Sequence, residues 1–212
     1  LIVQQDRLDR LPAGAPALVV ENTRRAYGQI AAAYRAEFSM PLVAIAGSNG
    51  KTSTKEMAAA VLGALGPIIA SEASYNNDIG VPTTLLRISP ETRAAVIEVG
   101  TNHPGELAPL IRMAAPAIGV LTSIGREHLE FFETLEGVIR EEGSIAEELP
   151  ADGTLIVNGD TPGLDAIVAR TRARVIRCGT AATSDWRISN IRSDATGSDF
   201  EVVGATPEYC GT

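Results

Sequence analysis

The sequence has few cysteines, fewer basic than acidic residues and no long apolar run, and each of these shortages argues against a class of protein. Its two cysteines, Cys178 and Cys210, lack the spacing of a metal-binding motif and indicate reduced thiols. No apolar run approaches the length that crosses a membrane, and the N-terminus lacks the basic and apolar regions of a signal peptide. The sequence therefore predicts a cytoplasmic protein with no membrane insertion.

The charge balance argues against nucleic acid as a partner. There are 26 Asp and Glu residues against 18 Lys and Arg, which gives a formal net charge of −8, whereas phosphate backbones are bound by basic surfaces. ATP stays compatible with this charge, because one lysine, a metal ion and backbone amides can form a local positive site. The 212 residues, 45% of them hydrophobic, are enough for one sizeable core.

One stretch, residues 41–54, has the order of a phosphate-binding loop. A short apolar run at 42–46 is typical of a strand buried on both faces, and a helical pattern begins near Lys51. Glycines between them allow backbone N–H groups to point at phosphate oxygens. Lys51 is expected to reach the β- and γ-phosphates, and the Thr52 hydroxyl to bind Mg²⁺. The expected nucleotide-binding residues are Gly47, Ser48, Asn49, Gly50, Lys51, Thr52 and Ser53.

This loop departs from the usual pattern G-x-x-x-x-G-K-[ST]. Ile45 stands where the first glycine is expected, and the glycine comes two residues later, at Gly47. A glycine-rich turn with an exposed lysine is the alternative interpretation. The flanking strand and helix favour nucleotide binding.

Strand-like and helical segments alternate along most of the chain. This alternation predicts an α/β fold: a P-loop NTPase-like, mostly parallel sheet flanked by helices, with right-handed crossovers. Two strand-like segments near the end, 186–192 and 199–203, predict an antiparallel hairpin. Helices are expected at 83–88 and, as one long acidic helix, at 134–149. The helix after Lys51 is indicated by the helical spacing of Met57, Val61, Leu62 and Leu65.

Polar residues that follow parallel strands share one rim of the sheet, where ligands bind. Glu98 ends an apolar strand, and a carboxylate there costs several kcal/mol if it is left unpaired. An Mg²⁺ ion held by Thr52 would remove that cost, which predicts Glu98 as a metal ligand; a carboxylate facing solvent is the alternative. Both histidines, His103 and His128, also fall on this rim, and His128 is predicted as a metal or phosphate contact.

Four motifs, in this order, resemble those of the Mur ligases. They are AGSNGKT at 46–52, NNDIGVP at 76–82, VIEVGTNHPGE at 96–106 and HLE at 128–130. The short loop with its late glycine is similar to that family's own variant, and the resemblance covers about residues 19–204. Within the family, the asparagine loop and the Gly-x-Asn-His segment favour the branch that adds D-Ala-D-Ala to UDP-N-acetylmuramoyl-tripeptide.

The resemblance implies a three-domain, monomeric ligase of peptidoglycan precursor synthesis. Residues 1–40 would be a remnant of the N-terminal UDP-sugar domain plus a connecting helix, 41–204 the central ATP-binding domain, and 205–212 the start of a linker to a missing C-terminal domain. Because the chain begins with Leu1 and ends before that domain, we expect a fragment that is inactive by itself.

The resemblance also implies roles for single residues. ATP would phosphorylate the terminal carboxylate of the peptide stem, and the amine of D-Ala-D-Ala would attack the acyl phosphate. Lys51 would stabilise the transferring phosphoryl group, Thr52 and Glu98 would hold one Mg²⁺, and His128 a second. The residues expected to line the substrate and phosphate pocket are Asn76, Asn77, Asn102 and His103.

One position departs from the family pattern. The helix after His128 normally carries a carbamoylated lysine, and aligning Gly143-Ser-Ile145 with that pattern puts Glu142 in its place. A glutamate supplies a similar anionic, two-oxygen group, so Glu142 is predicted to be a catalytic residue and a partner of the second Mg²⁺. A solvated acidic helix face is the alternative. Two other functions stay open: a related ligase, such as a folylpolyglutamate-synthase-like enzyme, and a nucleotide-binding module without ligase activity.

Overall fold

The computed structural model describes residues 1–204, so the expected linker at 205–212 and Cys210 lie outside the described residues. Two sheets are present in this part of the chain. The smaller one pairs β1 (Ile2–Gln4) with β2 (Leu18–Val20) in parallel, and a 3-10 helix, Gln5–Arg10, follows β1. No helix within residues 1–204 is both long and apolar enough to cross a membrane.

The larger sheet has eight strands, in the order β10-β9-β8-β7-β6-β3-β5-β4. All neighbouring pairs are parallel except the C-terminal hairpin of β9 and β10. This arrangement confirms the predicted mostly parallel α/β fold with an antiparallel hairpin. The strands are β3 (Leu42–Ala46), β4 (Ile68–Ala70), β5 (Ala94–Glu98), β6 (Ile118–Leu121), β7 (Thr154–Asn158), β8 (Arg174–Gly179), β9 (Trp186–Ser193) and β10 (Ser198–Val203).

Eight α-helices connect and cover these strands within the described residues. They are α1 (Thr23–Arg35), α2 (Lys51–Leu62), α3 (Gly80–Leu85), α4 (Leu107–Ala114), α5 (Leu129–Phe132), α6 (Leu135–Glu142), α7 (Ser144–Glu148) and α8 (Leu164–Val168). A 3-10 helix, Gly63–Leu65, extends α2. Helix α1 packs against α3 and α4, and α7 packs against α4 and β6.

Two helices differ from the expected ones, each for a local reason. The single helix expected at 134–149 is divided at Gly143 into α6 and α7. Glycine favours such a break, because it loses more backbone entropy in a helix than other residues do. The helix expected at 83–88 begins earlier, at Gly80. The side chain of Asn77 accepts hydrogen bonds from the N–H groups of Ile79 and Gly80, so it caps the first turn.

The core lies on both faces of the central strands. Every residue of β3 and β5 is buried, as parallel strands covered by helices on both sides require. On the side of α2, the helix approaches the sheet through Ala58, Ala59 and Leu62. Three of the apolar residues whose spacing indicated this helix lie away from the sheet and are exposed: Met57, Val61 and Leu65.

Candidate active site

The loop between β3 and α2 requires glycine at its start. Gly47 has a φ of 120°, and a Cβ atom there would lie 2.4 Å from the Thr122 hydroxyl oxygen and 2.8 Å from the Ser123 carbonyl oxygen. The Ser48 N–H donates to that same Ser123 carbonyl at 2.7 Å, and the Gly125 N–H donates to the Ser48 hydroxyl at 2.8 Å. The segment after β6 therefore fixes the shape of the loop.

Lys51 and Thr52 stand at the first turn of α2, where the helix N-terminus adds positive potential. The Lys51 ammonium folds back over the loop and donates to the carbonyl oxygens of Gly47 at 2.5 Å and Ser48 at 3.4 Å. The loop thus has the strand–turn–helix geometry and the lysine position that phosphate binding needs. Ser53 follows in the same turn and is exposed.

Glu98 is buried at the end of β5, with 1% of its surface exposed. The Thr52 hydroxyl donates to one carboxylate oxygen at 2.9 Å, and the Asn76 side-chain amide donates to the other at 3.0 Å. The backbone N–H of Glu98 donates to the Ser71 hydroxyl at 3.0 Å. The structure therefore brings three of the predicted site residues, Thr52, Asn76 and Glu98, into direct contact and excludes a solvent-facing Glu98.

The hydroxyl of Thr52 and the carboxylate of Glu98 fit Mg²⁺ by their chemistry. They are hard oxygen donors beside a phosphate-type loop, and Mg²⁺ in proteins is commonly held by one or two carboxylates together with substrate phosphates and water. Within residues 1–204, no three His, Cys, Asp or Glu side chains gather closely enough to hold a metal ion by themselves.

Glu142 is buried at the end of α6 and contacts the loop directly. It is 1% exposed, and one of its carboxylate oxygens accepts a hydrogen bond of 2.7 Å from the Gly47 N–H. Burial raises the pKa of Glu142 to about 7; the charge of Lys51 opposes this rise, and the charges of Glu127 and Glu141 add to it. A solvated helix face is therefore the wrong description of this position.

Sequence reasoning missed the role of the neighbouring residue, Glu141. Its two carboxylate oxygens accept hydrogen bonds from the N–H groups of Gly105, at 2.8 Å, and Leu107, at 2.9 Å. Glu141 thereby satisfies free donors at the start of α4 and fixes the preceding segment, residues 101–106. No signal in the sequence marks this role, because the residue lies in a charged run and its partners are 34 and 36 positions away.

Three predicted substrate residues line a cleft of about 780 Å³ between α1 and α4: Asn77, Asn102 and His103. The His103 imidazole lies 3.1 Å from a Glu106 carboxylate oxygen, and its ring centroid is 4.2 Å from that of Phe131. Three arginines also line the cleft, two from α1 and one from α4: Arg24, Arg25 and Arg112.

His128 stands at the start of α5 with a left-handed backbone, φ 47°. Its side chain is 38% exposed, and its Nδ1 lies 3.9 Å from a Glu130 carboxylate oxygen. Among the described residues, no hydrogen bond or ion pair joins His128 to Thr52, Glu98 or Glu142. The structure therefore brings together Thr52 and Glu98, the residues predicted to hold the first Mg²⁺, and places His128, predicted for the second, apart from them.

Comparison with known proteins agrees with this geometry. The sequence profile of the Mur ligase middle domain matches residues 45–209. The UDP-N-acetylmuramoyl-tripeptide–D-alanyl-D-alanine ligase of Escherichia coli is 40% identical over 193 residues, 90% of this chain and 43% of that ligase. MurF from Acinetobacter baumannii superposes with a TM-score of 0.87 at 29% identity, over 95% of this chain and 45% of that one.

A further structure shows the same fold: MurF from Thermotoga maritima, solved in complex with ADP, has a TM-score of 0.83 at 24% identity, over 92% of this chain and 45% of its own. The chain thus spans less than half the length of these relatives. The matched profile covers more than half of the chain and includes the loop, Glu98, His128 and Glu142. The resemblance indicated by the four motifs is confirmed, and the chain belongs to the Mur ligase family.

Proposed function

We propose that this chain is the ATP-binding part of a ligase that adds D-Ala-D-Ala to UDP-N-acetylmuramoyl-tripeptide in peptidoglycan precursor synthesis. The observation that carries the proposal is the contact of Thr52, on the phosphate-binding loop, with the buried carboxylate of Glu98 at 2.9 Å. The relatives named above, which include a UDP-N-acetylmuramoyl-tripeptide–D-alanyl-D-alanine ligase 40% identical to this chain, support the choice of substrates.

The chain spans 43% to 45% of the length of the relatives named above, and we propose that the whole ligase has further parts. We assign residues 1–40 to the end of a UDP-sugar domain and its connecting helix, 41–204 to the ATP-binding domain, and 205–212 to the start of a linker. Because activity requires the remaining parts, we propose that the isolated chain does not ligate.

The proposed reaction has two steps, a phosphoryl transfer followed by an acyl transfer. An oxygen of the terminal carboxylate of the stem peptide attacks the γ-phosphorus of ATP, and the bond to the β-phosphate oxygen breaks, so that ADP leaves. The amine of D-Ala-D-Ala then attacks the carbonyl carbon of the acyl phosphate, phosphate leaves and the nitrogen loses a proton. Lys51 and the N–H groups of residues 47–52 stabilise the charge on the transferring phosphoryl group.

Glu98 and Thr52 would hold Mg²⁺, which supplies charge neutralisation to the phosphates when it is bound. We propose that Glu142 takes the position of the carbamoylated lysine found elsewhere in the family and acts as a catalytic partner of a second Mg²⁺ near His128. The burial of Glu142 and its bond of 2.7 Å to the Gly47 N–H support this assignment.

For the substrate, we propose the cleft between α1 and α4. The amides of Asn77 and Asn102 and the imidazole of His103 offer hydrogen bonds. Arg25 offers positive charge for the anionic substrate, whereas Arg24 and Arg112 already pair with Asp78 and Glu148. Asn76 has a different place, because its side chain contacts Glu98. We therefore place Asn76 beside the phosphate-binding loop, where Glu98 also contacts Thr52.

The decisive experiment measures ADP release by the intact protein with UDP-N-acetylmuramoyl-tripeptide and one of four acceptors: D-Ala-D-Ala, diaminopimelate, lysine or glutamate. We expect release that depends on D-Ala-D-Ala. Release with one of the other acceptors would instead identify a ligase of different acceptor specificity.

A second candidate is a nucleotide-binding module without ligase activity, and the observation that favours it is Glu142 in place of the family's lysine. This candidate predicts weak ATP turnover that no acceptor accelerates. It also predicts that Glu142→Lys, assayed with bicarbonate, would gain acceptor-dependent release.

A further inference from the structure

A lysine that the proposed mechanism does not use is fully buried beneath α2. Lys55, one helical turn after Lys51 in α2, has no exposed surface. Burying an ammonium group is costly unless its donors are paired. Here it contacts three oxygens: the carbonyls of Ser71 at 2.9 Å and Ala73 at 2.7 Å, and a Glu56 carboxylate oxygen at 2.9 Å.

The two carbonyl bonds attach α2 to the segment after β4, residues 71–76. This segment contains a strained residue, because Ala73 has a φ of 46°, a conformation that residues other than glycine rarely adopt. A hydrogen bond from a buried ammonium to the Ala73 carbonyl stabilises that conformation. Lys55 therefore determines the path of the chain from β4 to Asn76.

The same segment surrounds Glu98. The Ser71 hydroxyl accepts the hydrogen bond from the Glu98 N–H, and the Asn76 amide donates to the Glu98 carboxylate, each at 3.0 Å. The carbonyl of Asn76 also accepts a hydrogen bond of 2.9 Å from the Gly100 N–H. Both the backbone and the carboxylate of Glu98 are thus attached to the segment that Lys55 anchors.

We propose that Lys55 is a positioning residue for Glu98. It fixes residues 71–76, which hold the Glu98 carboxylate beside the Thr52 hydroxyl. Helix α2 thus supplies three groups: the phosphate-binding lysine, the metal-binding threonine and the lysine that anchors the segment around the metal-binding glutamate. The inference rests on the proposed function, since it concerns the divalent cation that the ligase would use. Substitution of Lys55 should therefore change the affinity for the divalent cation, whereas substitution of a lysine with a purely structural role should not.

The test compares Lys55→Met with Arg35→Met. Arg35 is the matched control, because it is also a buried cation that donates to backbone carbonyls, those of Ala114 at 3.1 Å and Phe38 at 2.5 Å, in another part of the fold. Two quantities are measured in the intact protein: Mn²⁺ binding in the presence of ADP, by electron paramagnetic resonance, and the Mg²⁺ concentration for half-maximal ADP release.

We expect Lys55→Met to weaken Mn²⁺ binding about 10- to 100-fold, as changes around metal ligands typically do, and to raise the Mg²⁺ requirement in parallel. Arg35→Met should lower the thermal midpoint and leave both cation measurements within twofold of the wild type. Mn²⁺ binding by Lys55→Met within twofold of the wild type would overturn the inference.

A second variant keeps the test decisive if Lys55→Met does not fold. Ser71→Ala removes the hydroxyl that joins the anchored segment to the Glu98 N–H and leaves the carbonyl contact of Lys55 in place. It should weaken Mn²⁺ binding in the same direction, and unchanged binding would count against the inference. If the wild-type protein releases no ADP with any acceptor, the proposed function fails, and Mn²⁺ binding alone decides the role of Lys55.

Discussion

At the scale of single residues, Lys51 has the simplest expected effect. Its side chain is only partly buried, and its ammonium contacts the backbone carbonyls of Gly47 and Ser48, so its loss removes little from the core. We predict that Lys51→Ala lowers kcat/KM for acceptor-dependent ADP release by about 100-fold or more, because the positive charge that stabilises the transferring phosphoryl group is lost. Steady-state kinetics and a thermal melt measure this. Near-normal turnover would contradict the assignment of the loop.

Glu142 leads to a prediction on pH. Its pKa of about 7 lies above the ordinary value of 4.5, so between these two values the folded state binds more protons than the unfolded state. Its contribution to the free energy of unfolding is therefore present below about pH 4.5 and is lost as the pH rises to about 7. We predict that the free energy of unfolding of the wild type, relative to Glu142→Gln, falls by at most about 3 kcal/mol over this range.

This measurement uses urea unfolding of the isolated chain without nucleotide or divalent cation, at several pH values. Glu136→Gln is the matched control, since Glu136 is exposed on the same helix, and its difference from the wild type should change little with pH. A difference between Glu142→Gln and the wild type that stays constant from pH 4.5 to 7 would show that the Glu142 carboxylate is not held in a buried state.

Single residues also show what the sequence could predict and what it could not. Lys51, Thr52 and Glu98 could be found, because local chemistry marks them: a glycine-bracketed turn, and a carboxylate that ends an apolar strand. Lys55 and Glu141 could not, because each acts on a segment distant in the sequence. Their hydrogen bonds join residues 16 to 40 positions apart in the sequence, and only the folded structure brings the partners together.

At the scale of elements, the start of α4 depends on Glu141. This carboxylate accepts hydrogen bonds from the N–H groups of Gly105 and Leu107, and so holds residues 101–106, which carry Asn102 and His103. We predict that Glu141→Ala lowers the free energy of unfolding by about 1–3 kcal/mol, because buried donors lose their partner. In the intact protein it should raise KM for UDP-N-acetylmuramoyl-tripeptide more than KM for ATP.

Urea unfolding and paired KM measurements test this prediction. The control is Glu147→Ala, since Glu147 forms an exposed ion pair with Arg170, and such pairs contribute little to stability. Equal increases in the two KM values for Glu141→Ala would refute a selective role in the substrate loop.

The predicted strands agree closely with the structure, whereas the helix boundaries and faces agree less well. Parallel strands buried on both faces appear as short apolar runs, and those at 42–46 and 94–98 are unmistakable in the sequence. Helix α2 is different because small residues, Ala58 and Ala59, let it approach the sheet. Its large apolar side chains remain outside, and Met57 is 62% exposed. Apolar spacing indicated the helix but not its buried face.

At the scale of the whole molecule, the prediction concerns how the chain folds and whether it is active by itself. The described residues contain an eight-stranded sheet with a hydrophobic cluster on each face. We predict that the 212-residue chain unfolds in one cooperative thermal transition and releases no ADP in response to D-Ala-D-Ala, because the reaction stays open to water. Calorimetry and a coupled ADP assay measure this. Acceptor-dependent ADP release by the isolated chain would contradict the domain assignment.

The adjacent glutamates at the end of α6 have a mechanical consequence. Glu141 and Glu142 point in directions about 100° apart on the helix, and they hold two different loops, the one that carries His103 and the one that begins with Gly47. These loops therefore share a single anchor. A shift of α6 along its axis moves both loops, so a displacement of one loop reaches the other without passing through the sheet.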